Sequence, residues 1–148
     1  MDETKPILKT CTSEARSRNM SRIRAKDTRP EMVVRRLAHS MGYRYRLHRK
    51  DLPGKPDLTF GPRRKIIEVR GCYWHAHVRY DPKCWEARSE AKSNQAYWGP
   101  KMDRNVERDR KNLAALEAAG WKVLVIWECE LRDLEAVRTR VSDFLGEK

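Results

Sequence analysis

Apolar residues recur along the chain with two periods, which separate helices from strands. Thr28–Glu31 combines an N-cap residue, a proline in the first turn and an acid three residues later, and the apolar positions then recur every four residues up to Gly42. These are the start signals, the period and the stop signal of a helix. Two further segments, Met102–Ala119 and Arg132–Leu145, also have a helical period. The pattern therefore predicts three helices.

Four shorter segments have the pattern of strands. Tyr43–His48 alternates apolar and polar residues, Asp57–Phe60 and Lys65–Arg70 follow turns with glycine and proline, and Trp121–Trp127 is almost entirely apolar. Alternation is typical of a half-buried strand, and an apolar run is typical of a strand covered on both faces. The first three lie close enough to predict an antiparallel meander. Helix, three strands, helix, strand, helix predicts one α/β domain whose mixed central sheet is flanked by helices.

Two segments lack a clear period. Residues 1–27 are polar and basic, which predicts an arm that a partner orders, with a tail of no function as the alternative. Residues 76–100 form a long irregular stretch with aromatic residues and a cysteine, and such a loop in a compact domain is usually functional. We therefore divide the chain into an arm, residues 1–27, and a folded domain, residues 28–148.

The composition indicates a polyanionic partner. The 148 residues include 33 Lys and Arg against 21 Asp and Glu, a net charge of +12. A field of that size suits nucleic acid, while a basic surface that only aids solubility is the alternative. The positive charge is densest in Arg16–Arg29, Arg44–Lys55 and Lys101–Lys111, which favours an extended basic face.

The chain has no apolar run near the ~20 residues of a membrane span and no signal-peptide block at its N-terminus. We therefore expect a cytoplasmic protein without a membrane partner. In that compartment the four cysteines are expected to be metal ligands or free thiols rather than disulfides.

Two acids lie on neighbouring predicted strands. Asp57 opens one strand, and Glu68 lies in the middle of the next, on the same face as Arg70. An acid in an apolar strand is costly unless it is paired or binds a metal. With the backbone carbonyl of Val69, the two carboxylates form a hard oxygen site for Mg²⁺, which activates water in phosphodiester hydrolysis. A salt bridge from Glu68 to Arg70 or Arg64 is the alternative.

This pair resembles the motif of the restriction-endonuclease-like nucleases, in which Pro-Asp precedes Glu-x-Lys and the core runs helix, three strands, helix, strand. Here Pro56-Asp57 and Glu68-Val69-Arg70 occur in that order of elements, which implies a restriction-endonuclease-like core. Arg70 replaces the lysine, and arginine is essentially never a base. Another group must then activate water, and His75 is the nearest candidate, although a lone histidine is more often structural.

A second set of ligands, nitrogen and sulfur, begins just after the Glu68 strand. Cys72, His77 and Cys84 are spaced as Cys-x4-His-x6-Cys, and Cys129 follows the last predicted strand. Three cysteines and one histidine are a common composition for a closed structural Zn²⁺ site. An ordinary buried thiol is the alternative for Cys129. Cys84 is the best fourth ligand, because the residues just after His77 cannot bind zinc.

Together these features resemble the very short patch repair (Vsr) endonucleases, which nick DNA at mismatches. The matching stretches stand in the family's order: Ala15–Met20, Asp27-Thr28, Leu52–Asp57, Gly71–His75, Asn105–Arg110, Gly120–Leu124 and Trp127–Cys129. The resemblance implies a Mg²⁺-dependent endonuclease that nicks one strand 5′ of the thymine in a T:G mismatch, which arises by deamination of 5-methylcytosine. The alternatives are a nuclease of the same fold that cuts matched DNA and a non-catalytic, zinc-stabilised DNA-binding module.

The resemblance also implies roles for single residues. Asp57 matches the metal-binding aspartate and His75 the catalytic histidine, and Glu31 and Asp109 match acids that position water, metal or His75. Glu68 lies where some members carry an apolar residue, and it would add a metal ligand.

The same resemblance implies an aromatic wedge that enters between base pairs beside the mismatch, formed by Tyr73, Trp74 and Trp98. A mispaired step is cheaper to unstack than a matched one, and a core position is the alternative for Trp98.

Arg70, a histidine in some members, becomes a phosphate contact, and Arg79 stands where some members carry a zinc-binding cysteine. We expect a monomer that acts on double-stranded DNA, at the nucleoid when bound, with other mismatch-repair proteins as further partners.

Overall fold

The computed structural model describes residues 27–73, 75–81, 83, 84 and 95–147, and only the backbone at 78 and 95–98. The helices are α1 (Arg29–Ser40), α2 (Gln95–Ala118) and α3 (Leu134–Leu145). The strands are β1 (Arg46–Leu47), β2 (Leu58–Phe60), β3 (Lys65–Arg70) and β4 (Lys122–Trp127). Short 3-10 helices cover Gly61–Arg63, His77–Arg79 and Glu128–Arg132.

The four strands form one mixed sheet in the order β1-β2-β3-β4. β2 is antiparallel to both β1 and β3. β4 lies parallel to β3 along all six residues of both strands. Parallel neighbours need a crossover connection, and α2 lies in that connection. The predicted mixed α/β sheet and its antiparallel meander are therefore confirmed.

Helices cover both faces of the sheet because the side chains of β3 alternate. Ile67 packs into a core with α1 and α3, whose buried members are Val34, Leu37, Val137, Val141 and Leu145. Ile66, one residue earlier, packs on the other face with Leu116 of α2 and with Trp121. α1 and α3 therefore cover one face of the sheet, and α2 covers the other. The predicted site residues lie at the end of β3 and around it.

Helix α1 begins as the sequence predicts. The Thr28 hydroxyl accepts a hydrogen bond from the Glu31 backbone N–H at 3.4 Å, and a proline occupies the first turn. Of the apolar positions that recur every four residues, Leu37 is buried and Met41 packs against the core, but Val33 is only half-buried and Val34 is fully buried instead. Gly42, with φ of 98°, follows the helix where a left-handed residue is needed.

Three predicted bounds are wrong. The strand predicted over Tyr43–His48 pairs only at Arg46–Leu47, because Tyr43 turns into the core and His48 takes a left-handed φ of 46°. Helix α2 starts at Gln95, ahead of the predicted Met102, and continues through Pro100. Helix α3 starts at Leu134 rather than Arg132, because the preceding residues form a 3-10 helix.

The period of the last predicted helix places Leu134, Val137, Val141 and Phe144 on one apolar stripe, but the Leu134 side chain is exposed and Leu145 is buried. Asp133 caps this helix through its carboxylate, which accepts from the Ala136 N–H at 3.1 Å. Leu134 is therefore the first residue of the helix, beyond the edge of the core. Among the described residues, no helix is both long and apolar enough to cross a membrane.

Candidate active site and cysteine–histidine cluster

Asp57 lies immediately before β2, at the point where the pairing of β2 with β3 ends. Its Oδ2 accepts a hydrogen bond from the Val69 N–H at 2.7 Å. The pairing of Leu58 with Ile67 places Asp57 beside Glu68 on the adjacent strand. Burial raises the pKa of Asp57 to about 7, and the negative charges of Glu31 and Glu68 add to that effect. A partly buried acid near two others is a favourable place for a divalent cation.

Glu31 lies in the first turn of α1 and is only 2% exposed. Its Oε1 accepts from the Asp27 backbone N–H at 3.0 Å. Its Oε2 accepts from the Arg35 guanidinium at 2.7 Å and lies 2.5 Å from His48 Nε2. The burial of this acid is possible because three donors surround it. The structure thus places Glu31, as predicted, near Asp57, and adds two contacting residues that the sequence did not suggest.

Glu68 and Arg70 point to the same face of β3, as expected from the alternation. Their side chains form an ion pair of 2.9 Å, and both are largely buried. The Arg70 guanidinium also lies over the Trp127 ring, 5.7 Å from its centroid. The salt bridge considered for Glu68 is therefore present, and the charge of Glu68 still reaches Asp57.

His75 and Asp109 form a second acid–histidine contact. His75 Nδ1 lies 2.6 Å from Asp109 Oδ2, although 34 residues separate them in sequence. Asp109 is a buried position of α2. Burial by itself would raise the pKa of Asp109, but the hydrogen bond and the charge of His75 outweigh burial, and the pKa is lowered. The nearby charges of Arg70 and Arg108 act in the same direction.

The turn after β3 separates these functions. The His77 N–H donates to the Cys72 carbonyl at 2.8 Å, and Ala76 adopts a left-handed φ of 55°. This tight turn leaves Cys72 and His77 buried, whereas His75 between them is partly exposed and faces Asp109.

Cys72, His77, Cys84 and Cys129 bring their ligand atoms within 4.8 Å of one another. Cys129 Sγ lies 3.6 Å from His77 Nδ1. Tetrahedral zinc, with bonds of about 2.3 Å to sulfur and about 2.0 Å to nitrogen, would place two such atoms roughly 3.6 Å apart. Burial raises the pKa values of the Cys72 and Cys129 thiols and lowers that of His77. The chemistry and the spacing of the four donors therefore fit a tetrahedral ion.

Several predicted residues fall outside the described part of the chain. Trp74 and the basic arm through residue 26 are among them, and for Trp98 only the backbone is described. Tyr73 lies on the turn after β3 and is half-buried.

His48 and Arg35 contact Glu31 but were not among the site residues predicted from the sequence. Arg35 follows Glu31 by four residues on a helix, and that spacing is a recognised signal for an ion pair. His48 had no such signal, because only the fold brings it to Glu31.

Comparison with known proteins identifies the class to which this site belongs. Residues 9–81 match the family described as DNA mismatch endonuclease Vsr. The type II nicking enzyme V.XorIIP of Xanthomonas oryzae pv. oryzae is 48% identical over 135 residues, covering 89% of this chain and 93% of the relative. The DNA mismatch endonuclease Vsr of Escherichia coli is 38% identical over 120 residues, covering 81% of this chain and 73% of the relative.

Clustered acids and an acid-bound histidine are compatible with a hydrolytic nuclease. With these relatives matched over most of its length, the chain belongs to the Vsr family of DNA endonucleases. Its substrate is therefore DNA.

Proposed function

We propose that this endonuclease is a Mg²⁺-dependent enzyme of very short patch repair, which nicks one strand 5′ of the thymine in a T:G mismatch. The observation that carries the proposal is the partly buried Asp57, which lies near the negative charges of Glu31 and Glu68. One matched relative is named a mismatch endonuclease and another a nicking enzyme, which supports a single-strand cut at a mismatch. The proposed catalytic residues are Asp57, His75, Glu31, Glu68 and Asp109.

Asp57, Glu68 and the Val69 carbonyl are the proposed Mg²⁺ ligands. Asp57 Oδ2 is occupied by the Val69 N–H, so Oδ1 is the oxygen left for a cation. The N–H and C=O of one strand residue point to the same side, which turns the Val69 carbonyl toward Asp57. When bound there, Mg²⁺ would polarise the phosphate and lower the pKa of water.

His75 is the proposed proton acceptor. An ionised carboxylate only accepts hydrogen bonds, so Asp109 holds the hydrogen on Nδ1 and leaves the lone pair on Nε2. Nε2 can then take a proton from the attacking water. Arg70 stays positively charged and supports a phosphate contact instead.

The cysteine–histidine cluster is the proposed structural Zn²⁺ site, with Cys72, His77, Cys84 and Cys129 as ligands. His75 lies between two of these residues, so a bound ion would fix the backbone that presents the imidazole. Zinc would therefore contribute to activity through position and not through chemistry.

The roles of the DNA-contacting residues are proposed from the resemblance to the Vsr family. Tyr73, Trp74 and Trp98 form the wedge at the mismatch, and residues 1–27 form an arm on DNA attached to a restriction-endonuclease-like nuclease domain, residues 28–148. The enzyme acts as a monomer, and other mismatch-repair proteins are proposed partners.

A cleavage assay tests the proposal. A labelled duplex with one T:G pair, set in a panel of sequence contexts, is incubated beside its matched duplex with Mg²⁺ or with EDTA. We expect a single nick 5′ of the thymine, only in the mismatched duplex and only with Mg²⁺. Asp57→Ala and His75→Ala should reduce nicking by at least about 100-fold while DNA binding survives, because each removes a group that acts in the chemical step.

The alternatives give different results. Equal cutting of matched and mismatched duplexes would identify a nuclease without mismatch specificity. Binding without cleavage in any context would identify a DNA-binding module. Full activity of Asp57→Ala would disprove the active-site assignment.

A further inference from the structure

The described residues contain two close carboxylate–imidazole contacts. One joins Asp109 to His75 and has a place in the proposed reaction. The other joins Glu31 to His48, with 2.5 Å between Oε2 and Nε2. Glu31 is buried and His48 is partly buried, at 2% and 17% side-chain exposure. The partly buried imidazole is thus held closely by an acid beside the candidate metal ligands.

Glu31, Asp27 and His48 bring one ligand atom each within 4.8 Å of one another, but the Glu31 carboxylate has little capacity left for a cation. Its carboxylate accepts from the Asp27 N–H, from Arg35 and from His48, which occupies three of its roughly four acceptor sites. The group of this pair that faces Asp57 is the imidazole, because His48 Nε2 lies 4.0 Å from Asp57 Oδ1. Among the described residues, none donates a hydrogen bond to that oxygen.

The backbone fixes His48 in this place. Its N–H donates to the Asp57 carbonyl at 3.4 Å, so the two residues are joined by main chain and by side-chain position. His48 also has a φ of 46°, an unusual conformation for a residue with a side chain, and such residues concentrate at functional sites. Glu31 Oε2 and Asp57 Oδ1 therefore both lie near the Nε2 end of the ring, at 2.5 and 4.0 Å.

We infer that His48 is a positioning residue of the nicking reaction: by donating from Nε2 to Glu31 beside Asp57, it reduces the repulsion between the two carboxylates and leaves Asp57 Oδ1 free for the divalent cation. The inference rests on the proposed function. Two carboxylates that approach without a donor between them repel each other, and Asp57 could then turn away from the cation. His48 therefore acts through Asp57, without touching the substrate.

The test compares His48→Ala, His48→Gln and the control His39→Ala, which removes an exposed histidine of α1. Binding of Mn²⁺ to the DNA-free protein is measured by electron paramagnetic resonance, with Asp57→Ala as the reference for lost binding. The Mg²⁺ concentration for half-maximal nicking is measured separately, and circular dichroism verifies the fold.

We expect His48→Ala to weaken Mn²⁺ binding and to raise the half-saturating Mg²⁺ concentration by at least about tenfold, the usual cost of losing a residue that orients a metal ligand. DNA affinity should not change. His48→Gln should recover most of the binding, since its amide N–H can donate to Glu31. His39→Ala should match the wild type.

Unchanged Mn²⁺ binding in a folded His48→Ala protein would overturn the inference, even if nicking fell. Equal losses of Mn²⁺ binding in His48→Ala and His48→Gln would also overturn it, because glutamine keeps a hydrogen-bond donor to Glu31 and that donor should preserve binding. If the wild type fails to nick a T:G duplex, the proposed function fails, yet the Mn²⁺ measurements still decide the role of His48.

Discussion

Asp57 has an energetic cost that a bound cation would remove. Its carboxylate is partly buried near the charges of Glu31 and Glu68, and desolvation together with these charges raises its pKa to about 7. The unfolded chain would ionise the same group near 3.8. Folding therefore favours the protonated form of this one residue, and the stability of the protein should depend on pH through it.

We predict that the protein without added Mg²⁺ loses stability as the pH rises. The folded pKa of Asp57 is higher than the unfolded one, so its contribution is fully present below about pH 4 and is lost as the pH passes about 7. The loss should be on the order of 3 kcal/mol. Urea unfolding from pH 5 to pH 8.5 measures it, and Asp57→Asn should flatten the dependence.

A surface acid provides the control for this measurement. Asp51 is 62% exposed, and the hydrogen bond from Arg49 lowers its pKa. Asp51→Asn should leave the loss between pH 5 and pH 8.5 in place. Added Mg²⁺ should reduce the loss in the wild type, because the cation binds the ionised carboxylate. The same pH dependence in Asp57→Asn and in the wild type would show that another group is responsible.

At the residue scale, the sequence predicted acids better than their partners. Asp57 and Glu68 could be found because strand alternation places them on adjacent strands. Family resemblance indicated that Asp109 supports the site by positioning water, metal or His75, but its contact with His75 came from the structure, since no local spacing relates residues 34 positions apart. His48 was missed because a histidine in an alternating segment carries no sign of the acid that the fold brings to it.

Helix α2 combines two functions on different sides. Asp109 and Leu116 are buried and face the sheet side, where Asp109 holds His75. The outer side lines a groove of about 470 Å³. The residues lining this groove are Asp103, Arg104, Glu107, Arg108, Lys111 and Asn112.

The acids of this groove are already paired. Asp103 forms an ion pair with Arg79, and Glu107 with Arg110. Arg104 and Lys111 are exposed, and neither forms an ion pair within the described part of the chain. The groove adjoins Asp109 through Arg108, at 3.6 Å. Arg108 thus connects the groove to Asp109, the residue that contacts His75.

We predict that Arg104→Ala with Lys111→Ala weakens the binding of matched and mismatched duplexes alike, because phosphate contacts carry no sequence information. The slope of log K against log salt should become shallower by about 2, since each lost phosphate contact removes roughly 0.9. Fluorescence anisotropy at several salt concentrations measures this slope.

Arg36→Ala with Arg138→Ala is the matched control, because these exposed arginines belong to α1 and α3, on the other face of the sheet. The control should keep the wild-type slope. Equal slopes for the two double variants would exclude the groove as a phosphate-binding surface.

At the element scale, buried elements were predicted more accurately from the sequence than elements at the edge of the fold. The bounds of β3 were predicted correctly, because helices cover both faces of the strand and require apolar side chains on each. β1 was overestimated, since Tyr43 reaches the core without strand pairing. The start of α2 was missed because Gly99-Pro100 looks like a helix start, whereas the helix continues through it from Gln95.

At the scale of the whole molecule, the cysteine–histidine cluster joins distant parts of the chain. Cys72 and His77 follow β3, Cys84 lies beyond the turn, and Cys129 follows β4. The His77 ring stacks on Trp127 at 3.9 Å, and Arg70 lies over the same indole. This contact series runs from the cluster to the Glu68–Arg70 pair, so the loss of a metal from the cluster should affect the active site.

We therefore predict that one zinc per chain is bound and that its removal disables nicking even when Mg²⁺ is restored. Structural zinc sites contribute folding free energy directly, on the order of 10 kcal/mol in small zinc domains. Chelation, or Cys129→Ala, should lower the thermal midpoint strongly and reduce nicking, with zinc content followed by elemental analysis. Cys84→Ala should lower zinc content as well if the cluster is tetrahedral.

Cys11→Ser is the control, because this cysteine lies outside the predicted ligand set. It should retain zinc, thermal midpoint and nicking. A Cys84→Ala protein with full zinc content would leave Cys72, His77 and Cys129 as a three-residue site and exclude Cys84 as the fourth ligand. A zinc-free wild type with unchanged stability would disprove the structural role altogether, because a closed site that stabilises the fold must be lost at a measurable cost.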